Sequence, residues 1–314
     1  IMLPGIIAYI ITNLLAAMAS SATELIMTRV LQALSGSAIA VCIPAMVRDM
    51  FPKQECARIL SSILMVMTIA PLIAPVMGGQ ILKFWGWESL FLFLSVLGCI
   101  AFVLAFSRLS ESLVPENRLS MRPAYIGRAY WNILSHKKAM SYILAHGFFF
   151  GGMFAFISGS PFVYIELFGV PAEHYGYLFA LNIIMLGIFN MINMWLMRHF
   201  ELKTILLVGC SVACAAGLVL LVNTSIGFGG LAGVVVPCMV FVGMMSFSGP
   251  NANTLTLELF PKAAGTANAV AGVTRFGLGG ITAGLAGVIH DGTALPMATI
   301  MAVCGLLAVI CLIT

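Results

Sequence analysis

The chain has 314 residues, of which 61% are hydrophobic and 8% charged, with a formal net charge of +4 and a mean hydropathy of +1.08. A soluble domain carries about 25% charged residues, so a water-facing exterior cannot be built from this sequence, and lipid must be its main solvent. The apolar runs are continuous rather than alternating in ~10-residue segments, which argues against a β-barrel, and the scattered basic residues offer no footprint for nucleic acid.

Breaks in hydropathy predict ten helical spans, at 1–19, 24–48, 59–82, 88–107, 140–165, 175–197, 204–223, 230–257, 264–289 and 294–314. The expected fold class is therefore an all-α membrane helix bundle. The first span begins with Ile1 already in an apolar run, no signal peptide is visible, and Leu306 to Thr314 is still apolar without flanking basic residues. The sequence is accordingly expected to be a fragment or an incomplete chain.

The second span carries Arg29, Gln32, Ala33, Gly36 and Ala40, which share one helical face. An arginine within a span costs ~2.5–3.5 kcal/mol on the lenient insertion scale, so Arg29 should face protein or water. The alternative is that it snorkels to the nearby interface beyond Glu24. In the third span Ala70, Ala74 and Gly78 repeat every four residues and would let a neighbouring backbone approach closely. Pro71 and Pro75 each remove a helix hydrogen bond, so this span is expected to bend, as a pivot or as a tight packing face.

The polar, basic stretch 108–139 contains Pro115 and Pro123 and divides four spans from six. The expected organisation is an incomplete N-terminal bundle (1–107), a linker (108–139) and a C-terminal six-helix bundle (140–314). Lys and Arg placement sets the orientation. Arg48, Lys53, Arg58, Arg108, Arg118, Arg122, Arg128, Lys137, Lys138, Arg198, Lys203 and Lys262 fall on one side, and only Lys83 on the other, with Glu24, Glu88, Glu166, Glu173 and Asp291. The basic side, including the linker, is expected to be cytoplasmic.

The fifth span is rich in aromatics around His146 and Phe149, and the sixth carries Asn182, Asn190 and Asn193. Such residues suit a cavity for a bulky solute, or simple helix packing; a lone histidine in a span is commonly hydrogen-bonded structure. Arg275 lies deeper in the ninth span among glycines, open to a structural or a functional reading. Gln32, Gly36, His146, Phe149, Asn182 and Arg275 are the candidate cavity residues. Cys42, Cys99, Cys210, Cys214, Cys238, Cys304 and Cys311 sit within apolar runs and read as packing residues, while Cys56 lies in a loop; none has zinc-like spacing, and no metal or cofactor is expected. The arginines within spans have no acid deep in any span to answer them, although buried charges need partners.

The run Ala74-Pro75-Val76-Met77-Gly78-Gly79 resembles the antiporter motif of major facilitator drug exporters, G-P-x-x-G-G, with Ala74 replacing the first glycine. Arg29 resembles that family's fourth-helix arginine, with Ala33 in place of the glycine that follows it. His136-Lys137-Lys138, Gly159 to Glu166, Gly176-Tyr177, Phe179 to Asn182 and Phe260 to Ala267 are similar to the bicyclomycin-resistance (Bcr/CflA) branch, and the resemblance covers essentially all 314 residues.

The resemblance implies about twelve helices in two six-helix halves, the first two being absent here. It implies a proton-coupling role for Arg29 and places the titrating carboxylate on the missing first helix. A glycine- and basic-rich loop would be missing with it, leaving Arg198 to Lys203 as a degenerate counterpart. The activity implied is export of drug-like small molecules in exchange for protons, by a monomer in the bacterial inner membrane, with lipid as its surroundings. An uptake permease for a metabolite is the alternative. A membrane enzyme is disfavoured, because no H-E-x-x-H, G-x-S-x-G or phosphate-cradling loop occurs.

Overall fold

The computed structural model describes residues 2–108, 123–261 and 263–313. Arg118 and Arg122 of the expected linker, and Lys262, lie outside the described residues, as do the side chains of Arg48, Lys53, Pro71 and Pro75. All regular structure among the described residues is helical: α1 (Met2–Ala17), α2 (Ala22–Met50), α3 (Lys53–Trp85), α4 (Glu88–Arg108), α5 (Pro123–Leu134), α6 (Lys137–Pro161), α7 (Ala172–Leu196), α8 (Leu202–Ile226), α9 (Gly230–Gly243), α10 (Met245–Leu259), α11 (Ala264–Val288) and α12 (Leu295–Ile313).

Among the described residues, seven segments are long and apolar enough to cross a membrane, the first being Glu88–Ser107 and the others lying between Lys137 and Ile313. Helix α1 is apolar but has 16 residues, a rise of about 24 Å against the ~30 Å hydrocarbon core. Three features depart from the simple pattern of spans. The expected linker contains a helix, α5. The eighth expected span, 230–257, breaks at Met244 into α9 and α10, with Pro237 and Pro250 each removing a backbone donor on either side. Helix α6 passes at Pro161 into a π-helical turn, Phe162–Leu167, where the Phe168 amide reaches back to the Val163 carbonyl. Helix α3 continues as helix from Lys53 to Trp85 through the two prolines at which a bend is expected.

The chain divides into two compact units, Ile1–Ser120 and Met121–Thr314. In the first, α1 packs against both α2 and α4, while α3 touches α2 and α4 only lightly. In the second, α8 takes the corresponding part against α9–α10 and α12, and α11 touches α10 and α12 only lightly. Helix α6 fills the space between α11 and α12 and packs extensively on both. The core of this unit gathers Phe149, Phe156, Tyr164, Leu206, Leu220, Phe241 and Met301.

Glycine makes these contacts possible. A Cβ on Gly305 would lie 2.8 Å from the Cys214 Cα, and one on Gly217 would lie 3.0 Å from the Ala302 Cα, so α8 and α12 meet backbone to backbone. Between α6 and α11, a Cβ on Gly147 would come within 2.9 Å of Leu278 Cδ1, and one on Gly151 within 3.2 Å of Thr282 Cγ2. Small residues are the usual means of close helix approach where apolar lipid supplies no driving force between helices.

Candidate functional site

Among the described residues three polar groups stand out, one in the first unit and two in the second. In the first, Arg29 donates from Nη1 to Gln32 Oε1 at 2.7 Å, Gln32 donates from Nε2 to Asn13 Oδ1 at 2.8 Å, and Asn13 donates to the Tyr9 carbonyl at 2.8 Å. Asn13 is fully buried and Gln32 nearly so, while Arg29 keeps an exposed face. The guanidinium carbon lies 4.6 Å from the centroid of Phe91 on α4, within cation–π range. Arg29 and Gln32 meet because three residues along a helix put side chains on one face. Among the described residues no carboxylate pairs with Arg29; Glu24, one turn earlier, turns to the amide and hydroxyl of Ser20 instead.

Gly36, one turn beyond Gln32, lines an apolar cavity of about 550 Å³ with Ile6, Tyr9, Ile39, Leu94 and Gly98. The small-residue face of α3 does not close on a neighbour. Ala70, Ala74 and Gly78 instead line a second apolar cavity, of about 590 Å³, shared with Leu90, Phe93, Leu94 and Leu97 of α4. This cavity occupies the place between α3 and α4 that α6 fills between α11 and α12. Gly79 is half-buried beside it, and the side chain of Pro75 lies outside the described residues.

In the second unit His146 and Arg275 come together around Phe150. His146 Nδ1 lies 2.9 Å from the hydroxyl of Ser248 on α10, and its ring centroid is 6.2 Å from that of Phe150. The Arg275 guanidinium carbon lies 5.3 Å from the Phe150 centroid and 4.9 Å from that of Phe276, the two rings meeting edge to face at 5.2 Å. Gly279 lets Phe150 and Phe154 lie close against α11, since a Cβ there would come within 3.4 Å of either ring. The other cavity candidates stand apart. Phe149 has no exposure and packs edge to face on Phe241 at 5.0 Å inside the unit's core. Asn182 is buried and bonds the Leu178 carbonyl of its own helix.

A third polar group joins α7 and α10: Asn251 donates to Asn193 Oδ1 at 2.9 Å and Ser246 to the Leu186 carbonyl at 2.7 Å. Asn13, Ser248 and Asn251 were not singled out from the sequence. Single amides and hydroxyls in apolar runs give no local signal until a partner about 20 to 100 residues away is known. The seven described cysteines are free, and no group of three metal-ligating side chains occurs among the described residues.

Comparison with known proteins matches residues 1–284 to the model of the Major Facilitator Superfamily. A bicyclomycin resistance protein homolog of Haemophilus influenzae is 32% identical over 99% of this chain and 78% of its own length. The MFS-type transporter YdgK of Bacillus subtilis is 33% identical over 94% of this chain and 74% of its own. Multidrug resistance protein MdtL of Shigella flexneri is 23% identical over 98% and 76%. Among solved structures, a POT family transporter in complex with 5-aminolevulinic acid superposes with a TM-score of 0.74 at 14% identity, over 99% of this chain and 79% of that one. The xylose transporter XylE from E. coli gives 0.68 at 13%, over 98% and 78%, a likeness of fold alone. The family match over residues 1–284 and the two relatives above 30% identity agree with the helical architecture, and the chain belongs to the Major Facilitator Superfamily of membrane transporters.

Proposed function

We propose that this chain is the larger part of a secondary transporter that exports drug-like small molecules in exchange for protons, by alternating access. Its ten expected spans would form four helices of one half and the six of the other, joined by a cytoplasmic linker at 108–139, in a monomer of the bacterial inner membrane. The names of the relatives, bicyclomycin and multidrug resistance proteins, support drugs as cargo. The repeated packing of α1, α2, α3 and α4 as α8, α9–α10, α11 and α12 supports a transporter built from two structurally repeated halves.

The single observation that carries the coupling is Arg29: a cation inside a helix, held by a buried amide relay, with no carboxylate beside it among the described residues. A fixed positive charge favours the charged form of a nearby carboxylate, so a proton arriving there must compete with Arg29, and its departure restores the ion pair. The relay links Arg29 through Gln32 to Asn13 on α1, while Phe91 of α4 lies under the guanidinium, so that a change at Arg29 is passed to helix packing rather than absorbed by side-chain motion. Gln32, Gly36, His146 and Arg275 would face the cargo, while Phe149 and Asn182 would support the walls from within. The Ala74, Pro75, Gly78 and Gly79 stretch would serve as the pivot.

The test is Arg29→Ala in the complete protein, followed by drug export from inverted vesicles with an imposed proton gradient. Loss of gradient-driven export at an unchanged protein level is the expected result. Normal export would overturn the reading.

A further inference from the structure

The second unit holds a cation whose surroundings point to a ligand. Arg275 is half-buried on α11, and its Nε is buried with no hydrogen-bond partner. No acid pairs with it and no carbonyl receives its protons among the described residues; its contacts are the faces of Phe150 and Phe276. Two aromatic faces offset only part of the cost of desolvating a guanidinium. The planar fork of five donors is therefore left largely unused. His146 also lies beside Phe150, its Nδ1 engaged by Ser248, which fixes the ring and leaves Nε2 as a second polar atom of the same cluster. Phe276 is 57% exposed and gives the cluster an open aromatic wall.

We infer that the His146, Phe150, Arg275 and Phe276 cluster is a binding site for the carboxylate of an aromatic acid. A carboxylate meets an arginine fork with two parallel charge-assisted hydrogen bonds, and with Nε buried one would seat end-on across the two terminal nitrogens. The ring of the same ligand would pack on Phe276, edge to face or offset, as aromatic pairs prefer. A cationic ligand would be repelled by Arg275 while gaining only the same ring contacts, so the site selects by charge at constant shape. The inference rests on the export reading in one respect, that the bound acid is cargo.

The experiment uses the complete protein in lipid nanodiscs and the matched pair benzoate and benzamidine, followed by ligand-observed NMR. Benzoate is expected to bind saturably and benzamidine not at all. Arg275→Gln should weaken benzoate at least tenfold, Arg275→Lys less, and His146→Gln several-fold, while Lys203→Gln, on an exposed residue, leaves it unchanged. Should Arg275→Gln fail to fold, Arg275→Lys and His146→Gln decide the matter. Equal binding of benzamidine, or benzoate binding indifferent to all three substitutions, overturns the inference. Gradient-driven export of an uncharged drug is measured on the same preparations. Export without benzoate binding sinks this site and spares the export reading; benzoate binding without export does the reverse.

Discussion

Replacing Gln32 by leucine should separate the structural from the functional part of the Arg29 relay. Gln32 both accepts from Arg29 and donates to Asn13, and it is 8% exposed beside an Asn13 with no exposure. Leucine keeps most of the volume, so the loss is polar. Asn13 Oδ1 becomes a buried acceptor without its partner, at a cost of about 1–3 kcal/mol. The bond from Arg29 adds little to stability, because an i, i+3 pair along one helix is worth only ~0.2–0.5 kcal/mol. The expected destabilisation is therefore about 1–3 kcal/mol, or a few degrees at roughly 2–4 °C per kcal/mol, read by thermal unfolding in detergent. Replacing both partners, Asn13→Leu with Gln32→Leu, removes the orphan and should recover most of that loss, because a pair exchanged for apolar groups can be nearly neutral. Export driven by a proton gradient should stay impaired in the double variant, since Arg29 is no longer held. The reasoning is refuted if Gln32→Leu unfolds with the wild type, or if the double variant loses the full sum of the two single effects.

Two further outcomes follow from local geometry. Gly305→Ala places a methyl group 2.8 Å from the Cys214 backbone, which cannot yield as a flexible side chain would, whereas Gly280→Ala meets nothing within 4 Å. Both gain the ~0.5–1 kcal/mol that alanine holds over glycine in a helix, so thermal unfolding should show Gly280→Ala as stable as wild type or more so. Gly305→Ala should fall below Gly280→Ala by the overpacking cost of about 1–3 kcal/mol. Asp291, in the loop before α12, accepts from the Thr293 hydroxyl at 2.6 Å and amide at 2.9 Å, and these bonds hold its carboxyl below the usual range. With the folded value depressed, its stabilisation is present above the ordinary aspartate value of about 3.9 and lost as pH falls through the folded one. Acid unfolding curves should therefore converge for wild type and Asp291→Asn at the low end, with the variant less stable at neutral pH.

The solvent of this protein is written in its composition: 8% charge cannot clothe a water-soluble surface, and each expected span from 1–19 to 294–314 contains helix. Helix is forced by the medium, since every backbone polar group in hydrocarbon must be satisfied within its own segment. The family was also legible, because Arg29, Pro75, Gly78 and Gly79 and the longer runs after His136 are local patterns. The break at Met244 and the helix within the expected linker were not, since hydropathy averages over a window longer than either.

What only the tertiary structure decided is which polar residue answers which. Arg29 and Gln32 are neighbours by helical periodicity, but the Asn13 that completes the relay lies on another helix, and His146 meets Ser248 across 102 positions of sequence. Phe149 and Phe150 are adjacent and alike in composition, yet one is sealed in the core against Phe241 and the other carries Arg275, because successive residues on a helix point about 100° apart. A sequence states the chemistry each side chain can perform; the packing angle of one helix on another determines which of those chemistries share a site.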